Sequence, residues 1–279
     1  MELYHKASFG ISKLITREYS TSFSLGIAVF SLVYRNAIYS IYAFVRLADE
    51  IVDTFHPHDK TKLLTELRLQ TDEALRDGVS TNPVINAFVQ TVNHYEIKYE
   101  FIKSFLDSME MDLSNSYYNP KEYSGYIYGS AEVVGLMCLQ VFCKKDHELF
   151  KRLLSPAKAL GSAFQKVNFL RDIRSDIEER GRIYLPGINS FVFIDDESKQ
   201  KLENDIEKEF EIALKGIKNL PHGVKLGVYS AYLYYRVLFN KIKKLRMKEL
   251  MKSRVRISNF TKIALLLKSL VEVKLLKTT

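Results

Sequence analysis

Asp49 and Asp53, in ADEIVDTF (48–55), end an almost wholly apolar run, AIYSIYAFVRL, and stand four residues apart. On a helix that spacing stacks two carboxylates on one face about 6 Å apart along the axis, close enough to share a cation. Isolated carboxylates are costly to bury, so the cluster demands a positive partner; Arg46, three residues before Asp49, lies near the same face. A second segment, KVNFLRDIRSDIEERGR (166–182), sets Asn168, Asp172 and Asp176 at i, i+4 and i+8. Three oxygen-bearing side chains then share one helical stripe. Phe169, Leu170, Ile173 and Ile177 flank it for packing, and Arg171 and Lys166 stand nearby. The EER after Asp176 reads as helix reaching solvent, which leaves Glu178 and Glu179 a solvated role.

Oxygen ligands on rigid helices suit Mg²⁺, which keeps several waters and is shared with substrate phosphates. Two facing acidic stripes could hold such ions, Mg²⁺ or its substitute Mn²⁺, around a diphosphate. Metals and nearby Arg or Lys then neutralise the charge that develops as diphosphate departs. An allylic diphosphate leaves a carbocation behind, which needs a dry, apolar cavity with aromatic faces. The 17 Phe and 17 Tyr, with no Trp, provide them. One i, i+4 Asp pair is an ordinary solvated helix face. Two patches that each interrupt an apolar helix point to chemistry on a diphosphate.

The elements that must carry these groups are helices. Helical periodicity predicts them at about 3–18, 21–30, 34–55, 59–77, 83–94, 98–113, 120–142, 146–180, 198–217, 222–248 and 257–276. Turn signals separate them: HPH at 56–58, RDG at 76–78, YYNP at 117–120 and GRIYLPGINS at 181–190. Asn82-Pro83 and Asn119-Pro120 read as helix starts with Pro at the first position. With 12 Gly and 6 Pro in 279 residues, punctuation is too sparse for a many-stranded fold. The expectation is one all-α domain over 1–279. Its last helix, NFTKIALLLKSLVEVKLLKTT, mixes an apolar stripe with lysines and reads as a surface helix packed on the domain, with interfacial membrane contact as the alternative.

The 41 Lys and Arg exceed the 33 Asp and Glu by 8, which suits an anionic partner. No motif or basic-aromatic stripe supports nucleic acid. Cys138 and Cys143 read as buried thiols, too few for a four-ligand zinc site. His56 and His58 read as a surface loop, and Tyr232, Tyr234 and Tyr235 as helix core or cavity wall. The N-terminus lacks a signal-peptide pattern and no apolar run reaches a membrane span, so a cytoplasmic protein is expected, with peripheral contact on the inner membrane face.

Together, YAFVRLADEIVDTF and QKVNFLRDIRSDIEERGRIYLP resemble the two signature regions of the squalene/phytoene synthase family, the all-α enzymes that join two prenyl diphosphates head to head. The STSFSLG segment ending at Gly26, FLDSMEMDL (105–113) and YIYGSAEVVGLM (126–137) extend the resemblance to roughly residues 10–260. It implies an isoprenoid-synthase-type helical bundle around a central apolar cavity. Asp49, Asp53, Asn168, Asp172 and Asp176 are implied as Mg²⁺ ligands, and Arg46 and Arg171 as diphosphate contacts. Gln165 is implied near the metals, Tyr42 and Tyr126 in the cavity, Phe23 at its entry, and Arg254, in SRVRISNF, as a late arginine reaching diphosphate.

Glu50 stands where many relatives have Asp, Thr21 where they often have Lys or Ser, and Glu132 where Gly is common. GRIYLP is implied to end a helix and fold over the site. The resemblance implies condensation of two geranylgeranyl diphosphates to phytoene through a cyclopropyl diphosphate, with no nicotinamide cofactor. The alternatives are squalene or dehydrosqualene synthesis from farnesyl diphosphate, the former requiring NADPH. A non-catalytic helical assembly factor is a third reading, disfavoured by the intact acidic stripes. Class I cyclases place Asn, Ser/Thr and Glu at i, i+4 and i+8, and chain-elongating prenyltransferases carry two DDxxD patches; neither pattern fits.

Overall fold

A computed structural model describes residues 1–185 and 195–275; the end of the predicted lid motif, from Pro186, lies outside them. Thirteen α-helices and one π-helical turn account for the described regular structure: α1 (Glu2–Tyr19), α2 (Thr21–Ala28), α3 (Leu32–Thr54), α4 (Lys60–Asp77), α5 (Pro83–Tyr95), α6 (Tyr99–Ser114), α7 (Pro120–Ile127), α8 (Val133–Cys143), α9 (His147–Glu178), α10 (Asp196–Lys218), α11 (His222–Lys243), α12 (Met247–Leu250) and α13 (Asn259–Leu275). No strand occurs among the described residues beyond one isolated bridge, Tyr117 to Ile183.

The predicted helix starts hold for a local reason. Asn82 accepts from the amides of Val84 and Ile85, and Asn119 closes a capping box with Glu122; in both cases Pro at the first position gives up an amide that would have had no partner. Gly78 ends α4 in the left-handed conformation, at φ 76°.

Two predicted helices differ. The one expected over 120–142 contains a π-helical turn, Tyr128–Glu132, where Gly129 is pressed against α6. A Cβ there would lie 2.4 Å from the Ser104 carbonyl oxygen, so the backbone bulges at a position only glycine can hold. The helix expected over 222–248 stops at Lys243, and the chain restarts as α12, whose Met247 amide donates to Asp196 Oδ1 at 2.6 Å.

The stretch 120–143 also corrects the expectation that no apolar run reaches membrane-span length: its mean hydropathy is 1.4 over an 18-residue window. Most of that window is buried against neighbouring helices, as a core helix requires. α8 packs on α3, α6 and α9, and α10 runs along α9. Phe44 of α3 stacks on Phe88 of α5 at 4.0 Å, with Phe105 of α6 behind it, and this aromatic packing backs the helix that ends in Asp49 and Asp53. A second apolar cluster, Tyr118, Tyr123, Tyr126, Ile127, Phe169 and Tyr184, sits beside the end of α9.

Candidate active site

A cavity of about 740 Å³ lies between α2, α3, α8, α9 and α11. Two of its walls show how the helical period builds the site. Along α3 the lining positions are Ile38, Ile41, Tyr42, Val45, Arg46 and Asp49. Along α9 they run from Leu153 through Ala157, Leu160 and Phe164 to Gln165, Asn168 and Arg171. Each stripe follows the i, i+3, i+4 repeat and passes from apolar to charged in the chain direction. The apolar end is closed by Phe30 and Phe142, ring centroids 5.5 Å apart. Phe23, Tyr42 and Tyr126 line the cavity as expected, Phe23 packing on Tyr42 at 5.6 Å. Tyr235 and Phe164 stack at 3.8 Å in the wall, and Tyr232 is core.

Of the expected site residues, Arg46, Asp49, Gln165, Asn168, Arg171 and Arg254 line the cavity, and Asp53, Asp172 and Asp176 stand just beyond its charged end. The two acidic rows meet across arginines. Arg180 donates to Asp176 Oδ1 at 2.8 Å and lies 3.4 Å from Asp53 Oδ1, joining α9 to α3. Arg254 reaches back from the far end of the chain to Asp172 Oδ1 at 2.6 Å, and Arg171 pairs with the same carboxylate at 2.5 Å. Asn168 accepts from the Tyr235 hydroxyl at 3.2 Å. The ion pair of Arg46 is with Glu50 rather than Asp49, and its guanidinium lies over the Tyr19 ring at 4.6 Å. Lys166 also departs from expectation, since its ammonium pairs with Glu209 of α10 at 2.6 Å rather than with the acidic row.

The charge state of these groups follows from burial. Burial, with Asp53 beside it, pushes the Asp49 carboxyl up to about 7 despite Arg46. Asp176 is likewise pushed up to about 7 by burial, which Arg180 only partly offsets while Asp172 and Asp53 add repulsion. Burial also raises Asp172, but hydrogen bonds from Arg171 and Arg254 outweigh it and hold that carboxyl below its ordinary value.

The donor set fits Mg²⁺ of the kind shared with a phosphate. It is all oxygen, on two rigid helices, and carries more negative charge than its arginines relieve at Asp49 and Asp176. Among the described residues no three acidic, His or Cys side chains converge as in a closed protein cage. A site that borrows oxygens from its substrate does not require such convergence.

Several residues of this site were not singled out in the sequence, although they lie in its quoted segments GRIYLP and FLDSMEMDL. Arg182 is 7% exposed and donates to Asp53 Oδ1 at 2.9 Å and to the Val52 carbonyl at 3.1 Å. Asp112 is buried beneath the acidic rows and accepts from Tyr118, Tyr126 and Tyr184 at 2.9, 2.8 and 2.7 Å. Arg182 lies 3.8 Å from it, so Asp112 ties the Tyr126 hydroxyl to the first acidic row. Burial raises the Asp112 carboxyl against those donors. Gly181, at φ 67°, turns the chain after α9 so that Arg182 and Tyr184 fold back inward. Glu178 and Glu179 are exposed as expected, whereas Arg180 beside them is not.

Lys262 of α13 donates to Thr21 Oγ1 at 3.0 Å and lines the cavity, which places a cation beside the segment that holds Thr21. Glu132 pairs with Lys158 at 3.0 Å, so the carboxylate in place of Gly belongs to an ion pair. His56 and His58 are exposed, Cys143 is buried, and Cys138, also free, lines the cavity.

A profile of the squalene/phytoene synthase family matches residues 16–188. The chain is 29% identical over 261 residues to a phytoene synthase of Arthrospira platensis, covering 85% of this chain and 84% of that one. It is 30% identical over 246 residues to the chloroplastic phytoene synthase of Daucus carota, covering 82% of this chain and 61% of the longer carrot protein.

Among solved structures, a dehydrosqualene synthase superposes with a TM-score of 0.82 at 22% identity, covering 97% of this chain and 98% of that one. The squalene synthase HpnC from Alicyclobacillus acidocaldarius gives 0.74 at 20% identity, covering 87% and 95%. At these identities the structural likeness establishes the fold. The family match spans both acidic rows and the cavity wall between them, and this chain belongs to the squalene/phytoene synthase family.

Proposed function

We propose that this protein is a Mg²⁺-dependent phytoene synthase that condenses two geranylgeranyl diphosphates head to head. The observation that supports this most is the bridging of Asp53 and Asp176 by Arg180 at the charged end of an apolar cavity. In this reading Asp49, Asp53, Asn168, Asp172 and Asp176 hold the metal, which when bound draws electron density from the departing diphosphate. Arg46, Arg171 and Arg254 lie at the same end and take up the diphosphate by charge-assisted hydrogen bonds. Gln165 orients it.

The allylic chains lie along the apolar stripes of α3 and α9, where water is excluded and the faces of Tyr42, Phe164 and Tyr235 stabilise positive charge without trapping it. Tyr126 remains a phenol, since burial and then Asp112 hold its pKa well above 10. It serves to fix the wall. The proposed reaction ends in loss of a proton rather than addition of hydride, so it uses no nicotinamide.

The test is incubation of purified protein with Mg²⁺ and each prenyl diphosphate, followed by mass analysis of the extracted hydrocarbon. A C40 product from geranylgeranyl diphosphate without NADPH is expected. A C30 product from farnesyl diphosphate alone would replace phytoene with dehydrosqualene or, where NADPH is needed, squalene. No condensation with any substrate would return the chain to the non-catalytic reading.

A further inference from the structure

α3 carries a second stripe that the proposed reaction does not use. Ile38, Tyr42 and Arg46 line the reaction cavity, whereas Leu32, Arg35, Asn36 and Tyr39, at i, i+3, i+4 and i+7, do not. With Lys13 and Arg17 of α1 they line a separate cavity of about 260 Å³, bordered by the end of α2.

The charge in this cavity has one sign. Lys13 and Arg17 stand one helical turn apart on α1, where like charges repel, and Arg35 joins them from α3. No Asp or Glu lines the cavity, and none of the three cations makes an ion pair among the described residues. Arg35 is held in position: its Nε donates to the Phe30 carbonyl at 2.7 Å. Both terminal nitrogens of that guanidinium are left without a partner among the described residues.

The cavity wall adds a neutral donor. Tyr39 is only 2% exposed, yet it reaches the cavity, and its hydroxyl has no hydrogen-bond partner among the described residues. A side chain buried this deeply normally has its polar atom paired, so the partner must come from the cavity side. Three cations, a phenol and the amide of Asn36 therefore converge with no acid to answer them. Such a donor set suits several oxygens and more than one negative charge in a small volume, as in a phosphate or diphosphate group. The size agrees, since the cavity is smaller than the ~300–1,000 Å³ of sites for drug-sized ligands.

We propose that this cavity binds the phosphate or diphosphate group of a small ligand, separately from the reaction cavity. The group arrives as the free ion or as the end of a nucleotide. Tyr19 to Phe23, which begin two residues after Arg17, line the reaction cavity. An occupant thus ties α1 to the helices whose other faces build that cavity.

The experiment is equilibrium dialysis of the purified protein against labelled inorganic diphosphate, in EDTA so that no metal recruits it to the acidic rows. The wild-type chain is expected to bind in the sub-millimolar range, with affinity falling as NaCl rises. Lys13→Gln with Arg17→Gln should weaken binding by about tenfold or more. Asn36→Asp, which supplies the missing carboxylate, should abolish it. All three side chains are exposed, so both variants should keep wild-type helicity. Arg171→Gln with Arg254→Gln, which disarms the charged end of the reaction cavity, should leave this site filled. ADP is the second probe: binding tighter than diphosphate assigns the site to a nucleotide, weaker binding to the free ion, and either supports it. Absence of wild-type binding, or binding unchanged by Lys13→Gln with Arg17→Gln or by Asn36→Asp, overturns the proposal. So does loss of all binding in Arg171→Gln with Arg254→Gln, which would put the anion in the reaction cavity. Neither Mg²⁺ nor turnover is involved, so the result stands apart from the hydrocarbon assay.

Discussion

Asp49 and Asp176 share one predicament from opposite helices: each is a carboxylate whose negative charge the folded chain disfavours. Both are raised to about 7, from an ordinary value of 3.8, chiefly by burial. The sign of the consequence is definite. Below about pH 4 both residues are protonated, folded or unfolded, and contribute nothing. Between about 4 and 7 the unfolded chain releases protons that the folded chain retains, so stability falls as pH rises; above 7 the loss is complete. A divalent cation between the rows favours the ionised forms and reverses the loss, but below pH 7 it must first displace protons. The rise in melting temperature on adding millimolar Mg²⁺ should therefore be larger at pH 8 than at pH 6, as read by thermal-shift titration. An equal rise at both pH values would mean that the ion binds elsewhere.

The positions of these acids were legible because i, i+4 spacing on a helix is a local rule. Their partners were not. Arg182 meets Asp53 across 129 residues of chain, and Asp112 collects its tyrosines from two other segments.

Among the elements, α2 packs tightly on α11. It crosses α11 at glycine, where a Cβ on Gly227 would fall 2.2 Å from Phe30 and 2.4 Å from the carbonyl oxygen of Gly26. Backbone on one side and a cavity-floor ring on the other leave no room to yield. Gly227→Ala should thus destabilise the fold by ~1–3 kcal/mol, measured by urea unfolding, and lower activity by displacing Phe23 from the cavity wall. Wild-type stability in that variant would show that α2 and α11 do not cross in contact.

The helices themselves were readable almost throughout, since caps and periodicity act within a few residues. The exceptions had tertiary causes. The π turn at 128–132 follows from the approach of Ser104 to Gly129, and the break after Lys243 is accompanied by the hydrogen bond from Met247 to Asp196. The last helix was read correctly as packed on one side, where Ser269 bonds Ser230 of α11 at 2.6 Å, with Phe260 and Leu267 left exposed.

For the molecule as a whole, the governing feature is polarity along one axis. The walls on α3 and α9 run from apolar to charged in the same direction, with Phe30 and Phe142 closing the apolar end. A chain held by its diphosphate at the charged end is measured by that floor. Phe142→Leu should deepen it and raise the kcat/KM of a C25 prenyl diphosphate relative to geranylgeranyl diphosphate by about tenfold, the scale on which apolar pockets discriminate chain length. Competition assays with both substrates would check the ratio, and an unchanged ratio would mean that the chain ends elsewhere.

The amino-acid sequence by itself determined the helices, the two carboxylate rows and the signature segments by which the family is recognised. Each of these depends on residues within a turn or two of one another, where backbone geometry leaves little freedom. Only the tertiary structure decided that the rows face each other across Arg180, that Lys166 serves α10 instead of the site, and that Lys262 lies beside Thr21. Those pairings join residues far apart in the chain, and which of them form is set by the packing of whole helices.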